Sequence, residues 1–180
     1  EVMFQTSLIP ELTVDFEYSW GTTIHFTPPA GEEPELADAS GAELTLIVRP
    51  WHSLAVDNTY LLTRLSAPDG GRAIFDNHIF RSKWNWQWTR ELSLRFIAQY
   101  DEVDADTSLT SLPAGKNLNF DALVTYLVNP GTALFVGYNG NGAELDRLGS
   151  RGGRARFLGL SNLTYDAWQV FAKFSYLLRF

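Results

Sequence analysis

The clearest pattern in the chain is an alternation of apolar and polar positions over its last residues, 168–180. The odd positions there mix two cations, an amide and a hydroxyl with apolar residues. A period of two is typical of a β-strand with two different faces. An apolar face of this kind meets either a second sheet or lipid. The even positions are all apolar or aromatic: Trp168, Val170, Ala172, Phe174, Tyr176, Leu178 and Phe180.

Seven upstream segments share this period of two, with the apolar residues mostly at even positions. Asp15 and Glu17, for example, alternate with aromatic residues. Charged residues at every second position exclude burial of both faces of a strand. The alternation is weakest in 53–65, where Asn58 and Leu61 interrupt it. The predicted strands lie near residues 12–20, 42–49, 53–65, 77–88, 92–101, 117–128 and 134–138.

The connections between these strands alternate strictly between long and short. The sequence Asn129-Pro130-Gly131 has the chemistry of a tight turn, because proline fixes φ and glycine accepts a positive φ. Long loops on one rim and short turns on the other are typical of an up-and-down transmembrane barrel, whereas a Greek-key sandwich does not produce them. In chain order, the connections are 21–40, 50–52, 66–76, 89–90, 101–116, 129–131 and 139–166.

We therefore predict an all-β fold, an antiparallel up-and-down transmembrane β-barrel of about eight full strands in a single domain, residues 1–180. Most strands direct even-numbered residues to lipid. The alternative is a soluble β-sandwich or a lipocalin-like module that binds carbohydrate or lipid, in which the aromatic face is the core. Burial of Trp84, Trp86 and Trp88 against other protein would favour that alternative.

Composition agrees with the membrane prediction. The chain has six Trp, seven Tyr and twelve Phe among 180 residues. These numbers suit the two aromatic girdles of a barrel, and a sandwich core or a carbohydrate-binding face would also use them. The sequence contains no run of about 18 apolar residues, so no transmembrane helix is predicted. The residues predicted for the membrane girdles are Trp20, Trp51, Trp84, Trp86, Trp88, Tyr100, Tyr126, Tyr138, Trp168, Tyr176 and Phe180.

The net charge of −7 belongs to the four long loops, which carry 13 acidic and 6 basic residues. Nucleic acid is excluded as a partner, because its binding requires a basic surface. In one of these loops, Asp101, Glu102, Asp104 and Asp106 are spaced like calcium ligands, but the glycine and the distal glutamate of an EF-hand are missing. Solvated acid is the favoured interpretation. The last long loop is basic, and its arginines either pair with lipopolysaccharide phosphates or have no fixed partner: Arg147, Arg151, Arg154 and Arg156.

No catalytic or metal-binding motif is present, so a non-enzymatic protein without cofactor or metal is predicted. His25, His52 and His78 have none of the spacings used by metal sites, and no GxSxG nucleophile elbow occurs. The chain has no cysteine, which excludes disulfides and thiolate chemistry. An outer-membrane hydrolase with a site built across strands stays a third alternative.

Charged residues on the odd face are the predicted lumen-facing or ligand-binding candidates. Mutual neutralisation across neighbouring strands is favoured over selection of one ion, because both signs occur. The candidates are Arg49, Arg81, Lys83, Arg95, Asp121, Lys173 and Arg179.

Residues 1–8 predict the lower half of a further strand, because they end at Ile9-Pro10-Glu11, where the alternation of connections requires a short turn. We expect Val2–Leu8 to pair antiparallel with Leu12–Trp20. We also expect the last strand to find its closing neighbour outside this sequence, since an unpaired strand edge in lipid is costly.

Three segments also carry a family resemblance: IFRSKWNWQWTRELSLRFIAQYD, NFDALVTYLVNPGTALFVGYN and FAKFSYLLRF. They resemble the carboxy-terminal barrel of bacterial outer-membrane proteins that have a family-nine carbohydrate-binding-like domain in front. The resemblance is best over 76–180. It implies a barrel in the bacterial outer membrane, with more strands upstream, and no particular activity. The terminal aromatic strand resembles the signal that the barrel-assembly machinery reads.

These observations favour a channel, or a membrane anchor for a larger periplasmic or cell-surface assembly. The expected partners are outer-membrane lipid and lipopolysaccharide, the barrel-assembly machinery, and periplasmic or surface proteins.

Overall fold

The structure is a computed structural model that describes residues 1–68, 71–145 and 164–177. Its described residues form nine strands and no helix, so no described helix could span a membrane. The strands are β1 (Val2–Ile9), β2 (Leu12–His25), β3 (Glu35–Trp51), β4 (Leu54–Ser66), β5 (Ala73–Gln87), β6 (Leu92–Ala105), β7 (Gly115–Asn129), β8 (Thr132–Leu145) and β9 (Thr164–Tyr176).

All nine strands belong to one sheet, in which sequence order is also spatial order. Every neighbouring pair is antiparallel. The predicted all-β, antiparallel, up-and-down architecture is therefore confirmed. The short turns of the chain lie on one rim, called here the turn rim, and the long connections on the other, the loop rim.

The short first strand lies where the sequence predicts it. In the ladder between β1 and β2, Val2 pairs with Tyr18 and Thr6 with Val14. β1 has eight residues, whereas β2 to β9 have 13 to 17 each. The structure thus contains eight full strands and one half strand, as predicted. Among the described residues, β1 and β9 are the two edges of the sheet.

The predicted strand ends are wrong at the loop rim. β2 continues to His25 and pairs there with Glu35, so the first long connection covers only 26–34 rather than 21–40. The acidic run from Asp101 belongs to β6 up to Ala105 rather than to a loop. The physical reason is that the backbone ladder continues where the side-chain alternation has already become charged.

The sheet is strongly staggered. One line of register partners begins at Leu12, the first residue of β2, and reaches Val170 in β9, six residues before the end of that strand. Six residues over the seven steps from β2 to β9 correspond to a strand tilt of roughly 30° at ~3.3 Å per residue and ~4.8 Å between strands. This stagger is close to that of a barrel wall, in which strands tilt by roughly 35–45°. The connecting residues of the line are Val48, Val56, Trp84, Phe96, Ala122 and Tyr138.

Few hydrophobic side chains of the described residues are buried, and these residues form no core that runs through the sheet. Among the described residues only seven are: Ala37, Leu54, Val56, Leu65, Ile74, Tyr100 and Ala133. Ala37, Leu65 and Ile74 form one cluster near the loop rim, on which Leu109 packs from the connection between β6 and β7. This small cluster replaces the extensive core that a sandwich requires.

Candidate membrane-facing surface and inner face

The register gives the sheet two distinct faces. Apart from single irregularities near the strand ends, even-numbered residues pair with even-numbered residues in the ladders; Phe16, for instance, faces Leu44, and Leu44 faces Tyr60. We call the side bearing these residues the even face and the opposite side the odd face. Large exposed hydrophobic residues on the even face include Val2, Phe4, Phe16, Tyr18, Trp20, Leu44, Trp84, Trp86, Val124, Tyr126, Leu134, Val136, Trp168, Val170, Phe174 and Tyr176.

The exposure of the tryptophans in β5 and directly after it bears on the two predicted roles of this face. Trp84 is 44% exposed, Trp86 38% and Trp88 63%. A sandwich or lipocalin-like fold would bury these residues as core. No described element covers them, so this apolar face is exposed in the described sheet, and contiguous exposed apolar surface typically marks a site of interaction with protein, ligand or membrane.

Aromatic residues mark the turn rim of the even face. Trp86 and Trp88 stack with ring centroids 4.8 Å apart and planes inclined by 11°. Tyr126 and Tyr176 are exposed near the same rim. Trp51 has an odd number, but an irregularity in the ladder between Val48 and Trp51 aligns it with Leu54. The tryptophan is 64% exposed.

The predicted aromatic residues nearer the loop rim are less uniform. Trp20 is 59% exposed and Trp168 69%, and Trp20 stacks on Tyr18 at 5.7 Å. Tyr138 is half-buried. Tyr100 differs, because it is only 2% exposed and its hydroxyl donates a hydrogen bond to Glu102 Oε2. Phe180, the remaining predicted girdle residue, lies outside the described residues.

The apolar part of the even face forms a band that has the same length in β2 and β6. In β6 it runs from Leu92 to Tyr100, and in β2 from Leu12 to Trp20. A length of eight residues at ~3.3 Å each, tilted by roughly 30°, gives a height of roughly 23 Å. The outward apolar band of transmembrane barrels is about 25 Å tall. The band therefore has the dimension that lipid requires.

Charged side chains begin directly above this band, toward the loop rim. Arg64 donates hydrogen bonds to both carboxylate oxygens of Asp76, from Nε at 2.6 Å and from Nη2 at 2.7 Å. Lys116 Nζ lies 3.5 Å from Glu102 Oε1. Because Arg64 is on β4 and Lys116 on β7, the border between apolar and charged side chains follows the staggered sheet across several strands.

The polar side chains inside the band are satisfied by one another. Asn58, which interrupts the alternation of its strand, accepts a hydrogen bond from the Ser82 hydroxyl at 2.7 Å. Trp84 Nε1 in turn donates to Ser82 at 2.9 Å. Higher up, the Tyr60 hydroxyl and His78 Nδ1 are 2.7 Å apart. Unsatisfied polar groups are costly in an apolar environment, so mutual pairing makes these residues compatible with lipid.

The odd face is polar and only partly neutralised. Lys83 Nζ lies 3.7 Å from Asp57 on the neighbouring strand, as the expected neutralisation requires. Asp121 accepts a hydrogen bond from Asn139, and Lys173 lies over the ring of Phe135 at 5.8 Å.

Three of the predicted lumen-facing arginines are not neutralised by an opposite charge on a neighbouring strand. Arg49, Arg81 and Arg95 are exposed, and none makes an ion pair with another described residue. Glu17 and Glu43 are direct register partners with like charges. Arg179 lies outside the described residues, as do Arg147, Arg151, Arg154 and Arg156 of the basic loop.

A turn from the loop rim reaches across the odd face. Asp106 receives hydrogen bonds from both the backbone and the hydroxyl of Ser108. These bonds, assisted by Arg72, hold the pKa of the Asp106 carboxyl below its ordinary value of 3.8. Thr110 donates to the Thr27 carbonyl at 2.7 Å. The ends of β2 and β6 are therefore tied together across the three intervening strands, β3, β4 and β5.

His25 anchors the same turn from β2. Its Nε2 lies 3.0 Å from the Leu109 carbonyl, and the side chain is only 2% exposed. Sequence reasoning missed this contact because its partners are 84 positions apart. The one local signal was Asp106-Thr-Ser108, a short turn-forming sequence whose carboxylate can bond its own backbone two residues later.

The acidic and histidine side chains of the described residues are spread over the sheet. No group of three or more His, Asp or Glu side chains there could hold a metal ion. Three of the four acidic residues weighed as calcium ligands lie in β6, where Glu102 and Asp104 are on the even face and Asp101 is on the odd face; Asp106 follows the strand. No protein-family model, curated protein or solved structure matches this chain.

Proposed function

We propose that this protein is a β-barrel component of the bacterial outer membrane, non-enzymatic, which acts as a channel or as the membrane anchor of a larger periplasmic or cell-surface assembly. The observation that carries the proposal is the external apolar band of the even face, with its aromatic residues and its charged upper border. A soluble protein exposing this surface would aggregate. In lipid the same surface is the one that is buried.

The orientation follows from the two rims. Short turns face the periplasm and long loops the cell surface in transmembrane barrels. The charged border at Arg64 and Lys116 then lies at the level of the outer-leaflet headgroups, where lipopolysaccharide phosphates are the partners of basic side chains. The final strand, β9, carries the aromatic pattern through which the barrel-assembly machinery would engage the chain.

The channel is favoured over the anchor by the exposed odd-face arginines. Arg81 and Arg95 lack carboxylate partners in the described chain, so their charges require water. In a barrel whose interior is filled by paired side chains, these arginines would form ion pairs with carboxylates. The turn at 106–112 narrows the opening at the loop rim without covering the whole odd face.

Quenching of tryptophan fluorescence by brominated lipids tests membrane insertion. We expect strong quenching in reconstituted vesicles, because six tryptophans lie exposed on the even face or at its rims: Trp20, Trp51, Trp84, Trp86, Trp88 and Trp168. Monodisperse protein in detergent-free buffer, with no quenching by the lipids, would contradict the proposal. Planar-bilayer conductance separates the two roles, since an anchor with a closed interior passes no current.

A further inference from the structure

The directions of the two edge strands carry a further inference, which rests on the proposed membrane barrel. β1 and β9 are separated by eight antiparallel ladders, so both run from the loop rim to the turn rim. We call this direction descending. A direct pairing of β1 with β9 would therefore be parallel, although every ladder in this sheet is antiparallel. Single-chain bacterial barrels have an even number of antiparallel strands.

We propose that the two edges of this sheet receive an odd number of further strands, of which the strands touching β1 and β9 both ascend. One ascending strand is the smallest solution and gives a ten-stranded wall. The occupant is an amphipathic β-strand of the same alternating pattern as β2 to β9. Its apolar side continues the face of Phe4 and Phe174, and its polar side continues that of Gln5 and Ser175.

A second copy of the nine strands does not satisfy these edges. All copies in one membrane have the same orientation, so each contributes descending edges only. The pairing of β9 with the β1 of a neighbour, or of two β9 strands, would be parallel in either case. The antiparallel partner must come from strands that are not among these nine.

Backbone hydrogen bonding explains why the edges cannot stay open in lipid. Each unpaired N–H or C=O group in the hydrocarbon region costs several kcal/mol. β9 has 13 residues, all of whose hydrogen-bonding groups on one side lack a partner in the described sheet. The cost falls within the apolar band, because Trp168 and Tyr176 bound that band on β9.

Disulfide trapping tests whether β1 and β9 are neighbours, without background because the chain has no cysteine. Gln5→Cys combined with Ser175→Cys places both thiols on the odd face, in the half of the sheet nearer the turn rim. The matched controls use true register partners, Gln5→Cys with Asp15→Cys and Ala133→Cys with Ser175→Cys. We expect the controls to cross-link in vesicles and the Gln5/Ser175 pair to stay reduced, both within and between chains.

Two extended chains test whether the number of added strands must be odd. One carries a second copy of residues 129–145, the turn and β8, after Phe180, and so adds one ascending strand. The other carries a second copy of 129–177 and adds two strands. We expect the one-strand extension to cross-link Gln5→Cys to a cysteine in its added strand and to unfold at higher denaturant than the natural chain. The two-strand extension restores a descending edge and gains neither property.

The outcomes separate this inference from the proposed function. Lipid quenching of tryptophan in all these chains establishes insertion independently of closure. Loss of quenching would refute the membrane proposal. Two results would overturn only the inference that an odd number of strands is added, provided that quenching is retained. One is efficient cross-linking of the Gln5→Cys/Ser175→Cys variant of the natural chain. The other is an equal increase in stability to denaturant from one and from two added strands.

Discussion

An arginine in the middle of the even face is the sharpest test of its lipid-facing role. Leu44 faces Phe16 directly, and Phe16 lies midway between the two ends of the band on β2, Leu12 and Trp20. Four residues at ~3.3 Å with a tilt of roughly 30° place Leu44 about 11 Å from either edge of the band. Arginine at the midplane of a transmembrane barrel costs about 2–4 kcal/mol.

We therefore expect Leu44→Arg to lower the free energy of unfolding in vesicles by about 2–4 kcal/mol. In a soluble protein, the same change at a residue that is 41% exposed would stay within about 0.5 kcal/mol. Denaturant titration followed by tryptophan fluorescence measures the difference, provided that folding in the vesicles is reversible.

The matched control is Glu43→Arg at the adjacent position on the odd face. Glu43 faces Glu17 directly, and the substitution converts a like-charge pair into an opposite-charge pair. Cross-strand pairs of this kind contribute about 0.2–1 kcal/mol, so we expect no loss of stability and a small gain. Equal effects of Leu44→Arg and Glu43→Arg, within about 0.5 kcal/mol, would refute the assignment of the two faces.

Three further predictions concern single contacts. Asn58→Leu removes the acceptor of the Ser82 hydroxyl; we expect a loss of about 1 kcal/mol and a coupling of similar size with Ser82→Ala in a double-mutant cycle, whereas additive effects would show that the bond contributes nothing. Hydrogen bonds from Ser108 lower the pKa of Asp106, so its stabilisation of the turn is full above the ordinary value of 3.8 and is lost as the pH falls through the lowered folded value. The protection of the Thr110 and Ser111 amides, measured as the exchange rate relative to the intrinsic rate at each pH, should fall in that acidic range, and Asp106→Asn should abolish this fall. Finally, a Cβ on Gly137 would meet the ring of Phe171; we expect Gly137→Ala to cost about 1–3 kcal/mol and Phe171→Ala to relieve most of that cost, with unchanged stability of Gly137→Ala as the contrary result.

Side-chain periodicity predicted the strands and their faces because each depends on local sequence. Asp15 and Glu17 fix the two faces of β2 without any knowledge of its neighbours, and Asn129-Pro130-Gly131 fixes one turn. The half strand at Val2–Ile9 was also predictable, from the position of Pro10 in the alternation of connections.

Contacts between distant segments could not be predicted in the same way. The bond between Thr110 and Thr27 joins the ends of strands four positions apart, and nothing near either residue encodes the other. The sequence pattern predicts Tyr100 as an exposed aromatic residue of its strand. In the structure the side chain is buried, and its hydroxyl donates to Glu102, which lies beside Lys116 across the ladder between β6 and β7.

The strands continue beyond their predicted ends at the loop rim. This explains both the wrong loop boundaries and the position of the turn at 106–112. On β6 the apolar band ends at Tyr100, but the ladder continues to Ala105. Five more residues at ~3.3 Å with a tilt of roughly 30° raise the sheet about 14 Å above the band. Thr27 and Thr110 meet at that height, outside the region that lipid would fill. Changes in this turn should therefore alter the opening at the loop rim and leave insertion into the membrane unaffected.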